Sequence, residues 1–196
     1  MPFGSWEIRE LYDIAGEGFD ALATDAQGRD VRLWVGASGS AAPDAVDELR
    51  RKLATLYHAS LPTVLAAAAV EDRAVLSLQP YRGRPLSALL DGGPLPPTEA
   101  IDVVRSVGAA LVKAHRAGVV HGAVTADEIF RTEDGRTLLL HLGWGRFLRP
   151  RPARAPEDLS APGGSEGADV FGLARVLVQC LLETISRVDS HGLFNG

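Results

Sequence analysis

The sequence has little cysteine, little lysine and no long apolar run. Its single cysteine, Cys180, allows no disulfide within the chain of 196 residues, so we expect a reducing compartment, the cytoplasm. No apolar run reaches the roughly 18 residues of a membrane span, and the N-terminus lacks a signal-peptide core. The net charge of −5 does not favour nucleic-acid binding. Lys52 and Lys113 are the only lysines, whereas arginine is frequent, and this composition hints at a GC-rich bacterial genome.

Apolar periodicity divides the chain into a strand-rich first part and a helical second part. Residues 1–80 predict five antiparallel strands and one helix, which is capped by Asp44 and extends to about Tyr57. Residues 81–196 predict a mainly helical lobe. Its expected helices cover residues 86–90, 98–117 and 169–183. The sequence therefore predicts an α+β fold with a strand-rich first part and a helical second part.

One stretch, residues 121–143, has the layout of a catalytic centre. It reads HGAVTADEIFRTEDGRTLLLHLG. A loop led by His121 precedes a strand that opens at Ile129, and an Asp-Gly turn leads to a second strand and then to His141. Because a hairpin folds its outer ends together, we expect the polar groups at those ends to be neighbours.

This stretch resembles the catalytic loop and the metal-binding loop of protein kinases. That family has His-Arg-Asp followed by Leu-Lys-Pro-Glu-Asn, and then Asp-Phe-Gly. His121, Ile129 and Gly143 match the pattern. Five chemical positions of the family are occupied by other residues: Trp34 for the phosphate-binding Lys, Ala123 for the base Asp, Thr125 for the catalytic-loop Lys, Glu128 for the metal-binding Asn and His141 for the metal-binding Asp.

The resemblance also marks a nucleotide site. Gly16 and Gly18 lie where kinases have their phosphate-covering loop, although two glycines also suit an ordinary hairpin turn. Gln79 and Tyr81 fall in the hinge whose backbone grips adenine in the family. The resemblance further places Leu49 opposite Trp34, so that a hydrophobic contact replaces the family's Lys–Glu ion pair.

Glu128 and His141 allow two interpretations. Both are metal-ligand types, and imidazole suits Zn²⁺ or Mn²⁺ better than Mg²⁺. The alternative is a direct hydrogen bond that takes the place of the metal bridge.

The last part of the chain resembles a kinase C-lobe without its final helices. Residues 155–157 match Ala-Pro-Glu, and 193–196 resemble the Pro-Phe-x-Gly that ends this region. No Ser, Thr or Tyr separates Gly143 from Ala155, so the usual phosphorylation switch has no acceptor. The helix over 169–183 is apolar on all sides, which predicts a homodimer or a protein partner that covers Leu177 and Leu181.

These features predict a pseudokinase, a kinase-like fold that binds, scaffolds or regulates a protein. The alternative is a divergent kinase-like transferase or a residual ATP-binding domain, with ATP or a divalent metal as its cofactor. A third interpretation is a piece of a longer kinase-like protein whose other domains carry the function.

Overall fold

A six-stranded antiparallel sheet dominates the first part of the chain. The computed structural model describes residues 1–13, 18–40, 42–147 and 164–182. The sheet has the order β1-β2-β3-β4-β6-β5. Its strands are β1 (Pro2–Phe3), β2 (Trp6–Asp13), β3 (Phe19–Thr24), β4 (Asp30–Val35), β5 (Val64–Val70) and β6 (Arg73–Leu78). The five predicted strands correspond to β2 to β6. The edge strand β1 was not predicted, because a strand of two residues has no recognisable apolar pattern.

The helix α1 (Pro43–Ala54) packs against the sheet through Val46, Leu49 and Leu53. The sequence predicted Asp44 as its cap, and this is wrong. Ala42 is the N-cap residue and has no side-chain acceptor, while Asp44 lies in the first turn and favours the positive end of the helix dipole. The helix also ends three residues before the predicted Tyr57.

A second sheet holds the predicted hairpin. Its order is β7 (Gly83–Pro85), β8 (Ile129–Thr132) and β9 (Thr137–Leu139). The strand β7 was not predicted, because its residues are poor strand formers. Gly83 is required there, since an added Cβ would lie 2.1 Å from the carbonyl oxygen of Arg131.

Three helices complete the described second part: α2 (Leu86–Leu90), α3 (Pro97–Arg116) and α4 (Glu166–Leu181). Helix α4 begins three residues before the predicted start, because the hydroxyl of Ser165 accepts the N–H of Ala168 at 3.1 Å and caps the first turn. Leu173, Val176 and Cys180 are buried. The opposite face of α4 is exposed in the single chain, and its predicted cover by a second copy or a partner stays a prediction.

One apolar cluster joins the two parts of the chain. It includes Trp34 and Leu49 from the first part, and Val107, Ile129 and Leu173 from the second. The predicted domain boundary near residue 80 falls between the two sheets and stays a prediction. The predictions that concern Gly16, the Ala-Pro-Glu at 155–157 and residues 193–196 lie outside the described residues. Among the described helices, none has the length and hydropathy to cross a bilayer.

Candidate functional site

The hairpin brings the two polar loops together, as the sequence predicted. The N–H of Leu140 donates to the carbonyl of Glu128 at 2.8 Å. His121 Nε2 lies 2.8 Å from the carbonyl oxygen of Leu140, and the N–H of Ala123 donates to His121 Nδ1 at 3.2 Å. These contacts require an imidazole that donates from Nε2 and accepts at Nδ1. His121 therefore orders the backbone of both loops.

Glu128 and His141 contact each other directly. His141 Nδ1 lies 2.7 Å from Glu128 Oε2, and the side chains are 10% and 15% exposed. His141 has a left-handed backbone with φ of +52°, which directs its ring into the interior. The predicted hydrogen bond is therefore confirmed. The described residues contain no group of three or more His, Cys, Asp or Glu arranged to hold a metal ion, and metal binding by this pair stays a hypothesis.

Each side chain of the pair favours the charged form of the other. Burial favours a neutral imidazole, but the charge and hydrogen bond of Glu128 outweigh it, and Asp20 adds to them, so the pKa of His141 is raised above its usual 6.5. Burial would also raise the pKa of Glu128. The charge and hydrogen bond of His141 outweigh this effect, and the pKa of Glu128 is lowered from 4.5.

A pH-dependent stability follows from these two pKa shifts. The contribution of His141 is complete below about pH 6.5 and is lost as the pH rises through its raised pKa. That of Glu128 is present above about pH 4.5 and is lost in acid. We expect urea unfolding to show the largest advantage of the wild type over His141→Asn between those values, shrinking towards alkaline pH. Asparagine tolerates the left-handed backbone but does not titrate. An advantage that is constant with pH would contradict this.

A buried ion pair lies beside this contact, on the face of the sheet that carries Trp34. Arg32 Nε and Nη2 donate to the two carboxylate oxygens of Asp20 at 2.5 and 2.9 Å, and each side chain is 5% exposed. Burial lowers the pKa of Arg32, but the charge and hydrogen bond of Asp20 outweigh it and raise the pKa. The guanidinium also lies 4.0 Å from the ring centre of Tyr12 and 4.8 Å from that of Tyr81.

The hinge side chain Tyr81 joins this network. Its hydroxyl accepts the indole N–H of Trp34 at 3.1 Å and donates to Asp20 at 3.4 Å. Burial and the charge of Asp20 hold the pKa of Tyr81 well above 10, so the group stays a neutral phenol. The N–H of the other hinge residue, Gln79, donates to the carbonyl of Thr63 at 2.9 Å. Both predicted hinge residues thus have protein partners.

Aromatic rings fill the space around Trp34. Its ring centre lies 4.6 Å from that of His141 and 6.4 Å from that of Trp144, whose ring is 4.7 Å from Phe147. Trp34 and Leu49 belong to the same apolar cluster, and their direct contact stays a prediction. Leu49 itself packs on Gly143, where an added Cβ would come within 2.8 Å of it.

A second buried carboxylate, Asp169 of α4, supports the His121 loop. One oxygen accepts the N–H of His121 at 2.9 Å and lies 2.7 Å from His115 Nε2, while the other accepts the N–H of Gly122 at 2.7 Å. Asp169 is fully buried. Of the residues that build this site, Asp20 and Arg32 were missed by sequence reasoning. The signal that could have found them was a charged residue inside each of two apolar strands, FDALAT and DVRLWV.

The arrangement has little means for phosphoryl transfer at the positions that the sequence indicated. Ala123 and Thr125 are exposed and carry no acid–base group or charge. Trp34 offers an indole N–H that Tyr81 already accepts, and Glu128 is bound to His141. Gly18 is half-buried at the start of β3.

Known bacterial protein kinases are similar to this chain in sequence. No protein-family model matches the chain. It is 27% identical over 197 residues to the serine/threonine-protein kinase PknE of Mycobacterium bovis. The alignment covers 91% of this chain and 35% of that protein. The kinase PknD of Mycobacterium tuberculosis is 33% identical over 112 residues, covering 50% and 17%. The chain thus spans about a third or less of the length of these relatives.

A solved structure has the same fold. The crystal structure of the Mycobacterium tuberculosis PknI kinase domain superimposes with a TM-score of 0.73 at 20% identity, covering 93% of this chain and 76% of that one. The curled antiparallel sheet with α1 and the helical second part correspond to the two lobes of a kinase domain. The chain therefore has a protein kinase-like fold, and its sequence is similar to bacterial serine/threonine-protein kinases.

Proposed function

We propose that the chain is a pseudokinase, a catalytically inactive kinase-like module that acts by binding, scaffolding or regulating a protein partner. The observation that carries this proposal is the closed network of Asp20, Arg32, Trp34 and Tyr81, which joins β3 and β4 to the hinge through hydrogen bonds and charge. In an active family member, this region receives a nucleotide. Here Asp20, Arg32, Trp34 and Tyr81 satisfy one another, while His141 Nε2 beside Trp34 is buried without a hydrogen-bond partner.

The size of the missing catalytic effects supports inactivity. A positioned general base contributes about 10²–10⁴ to a rate, and each electrostatic donor contributes about 10²–10³. Ala123 supplies no base and Trp34 no ammonium. His141 forms a hydrogen bond with Glu128. Because phosphoryl transfer depends almost entirely on positioning and charge stabilisation, losing these groups together should leave a rate near the uncatalysed one.

We expect neither ATP binding nor phosphoryl transfer. With ATP and Mg²⁺ or Mn²⁺, the thermal unfolding temperature should not change, because only a ligand that binds the folded state stabilises it by RT ln(1 + [L]/Kd). Radiolabelled ATP should label neither the protein nor a general acceptor.

A shift or transfer that Trp34→Ala abolishes would overturn the proposal in favour of a divergent transferase or a nucleotide-binding domain. Arg51→Gln, an exposed substitution on α1, is the control for binding elsewhere on the surface.

The same proposal holds that Glu128 and His141 bind each other rather than a metal. Titration calorimetry with Zn²⁺ and Mn²⁺ should give no heat that His141→Asn removes. A saturable heat that this substitution removes would support the metal site instead.

We propose α4 as the interaction surface, with a second copy or another protein covering it. Its exposed apolar residues support this: Val170 (63% exposed), Phe171 (49%), Val178 (40%) and Leu181 (39%). Leu177 was predicted to lie on this surface with Leu181. Leu177 is half-buried against the core, so it lies only at the edge of this exposed surface.

If the occupant is a second copy, light scattering should give a dimer mass for the wild type and a monomer mass for the double variant Phe171→Glu/Leu181→Glu. Val112→Glu is the matched control, since Val112 is 52% exposed on α3. A stable wild-type monomer at high concentration would exclude the homodimer.

A further inference from the structure

A polar groove lies away from the region of Trp34 and Tyr81. It has a volume of about 450 Å³, within the range of ligand sites. The first half of α3, the β8–β9 hairpin and the loop at Ala59 and Ser60 form its walls. We call it the arginine groove, because Arg105, Arg131 and Arg136 line it. The proposed catalytic positions do not contribute to it.

Arg131 is the best-ordered cation of this groove. Its Nη1 donates to the Thr137 hydroxyl at 2.8 Å and its Nη2 donates to Glu99 at 3.1 Å, with 23% of the side chain exposed. A guanidinium carries five N–H donors in a fixed plane, so these two bonds hold it in place and leave capacity for a ligand.

The other two arginines have replaceable partners. Arg105 pairs with Asp102 at 2.8 Å with exposures of 77% and 59%, and Arg136 pairs with Asp134 at 2.8 Å with exposures of 52% and 61%. Exposed ion pairs of this kind add little stability. A ligand carboxylate can therefore take the place of Asp102 or Asp134 at small cost.

The start of α3 adds to the positive field. Thr98, in the first turn, lines the groove, and the N-cap residue Pro96 offers no side-chain acceptor to the first-turn N–H groups. A helix of 20 residues carries a positive partial charge at this end, which favours an anion.

We infer that the arginine groove binds an acidic linear segment of a partner protein, whose carboxylates lie on Arg131 and on the two exposed arginines. From Thr98 to Ser106 the helix rises about 12 Å, which accommodates three or four extended residues. Glu99 and Asp102 also line the groove and oppose the denser charge of a phosphate, so the geometry favours carboxylates. The inference rests on the proposed binding role, but a failure here leaves the nucleotide test unaffected.

Fluorescence anisotropy with a labelled Glu/Asp tetrapeptide tests the inference on the full chain. We expect saturable binding that weakens as salt is raised, because salt screens exposed charges. The double variant Arg105→Gln/Arg136→Gln should weaken binding about tenfold or more, since it removes two charge-assisted contacts.

The matched control is Arg50→Gln/Arg51→Gln. These two exposed arginines pair with Asp47 on α1, away from the groove, so the control makes the same change in net charge. It should change the affinity by less than about twofold. Thermal unfolding verifies that both double variants are folded. No binding of the acidic peptide, an equal loss in the control, or binding of a phosphopeptide alone would each overturn the inference.

Discussion

Replacing Asp20 with alanine should lower the free energy of unfolding by about 3–5 kcal/mol, the typical cost of removing one partner from a buried ion pair. The substitution leaves the Arg32 guanidinium buried without its carboxylate. It also removes an acceptor from the Tyr81 hydroxyl. Urea unfolding followed by tryptophan fluorescence measures this effect, because Trp34 donates to Tyr81 in the same network.

Two further variants test whether the loss of stability in Asp20→Ala comes from the buried Arg32 charge that it leaves unpaired. Asp47→Ala breaks the two exposed ion pairs of α1 with Arg50 and Arg51 and should cost no more than about 1 kcal/mol. The double variant Asp20→Leu/Arg32→Met removes both charges together and should recover most of the loss, because well-packed apolar residues often replace a buried pair at little cost. A single variant as stable as the wild type would show that the network does not hold the site closed.

Replacing Asp169 with alanine should cost on the order of 3–5 kcal/mol, because each buried N–H group left without an acceptor costs about 1–3 kcal/mol. The backbone N–H groups of His121 and Gly122 lose their acceptor, and so does the ring of His115. Hydrogen exchange at the two backbone groups should accelerate more than exchange in the β3–β4 ladder. This local effect separates loss of the loop from general destabilisation.

Asp102→Ala is the control for a carboxylate on an exposed helix face, and should change stability by less than about 1 kcal/mol. If Asp169→Ala unfolds with wild-type stability, or if exchange rises equally everywhere, then Asp169 does not order the His121 loop.

The two buried carboxylates connect separate elements of the fold through hydrogen bonds within the chain. Asp20 joins the first lobe to the hinge through Tyr81, and Asp169 fixes the His121 loop on α4. Neither arrangement needs a nucleotide or a metal to satisfy its polar groups.

Much of the fold was predictable from local pattern. The apolar pattern predicted five strands and one helix in the first part, and the Asp-Gly turn fixed the hairpin that pairs β8 with β9. Errors arose where few residues carry the signal, as in β1 and β7. They also arose at helix ends, where Ser165 rather than Asp169 begins α4. Apolar composition alone could not give the burial of α4, since burial depends on what packs against each face.

The sequence by itself determined that His121, Glu128 and His141 would lie close together, because the Asp-Gly turn fixes which residues of the two strands pair. It also determined that Ala123 carries no acid–base group and Trp34 no ammonium. Only the tertiary structure decided that Asp20, Arg32 and Tyr81 close on one another and that Asp169 holds the His121 loop. These contacts join residues that are 12 to 61 positions apart in the sequence. A local sequence pattern therefore cannot predict which buried charged residue pairs with which partner.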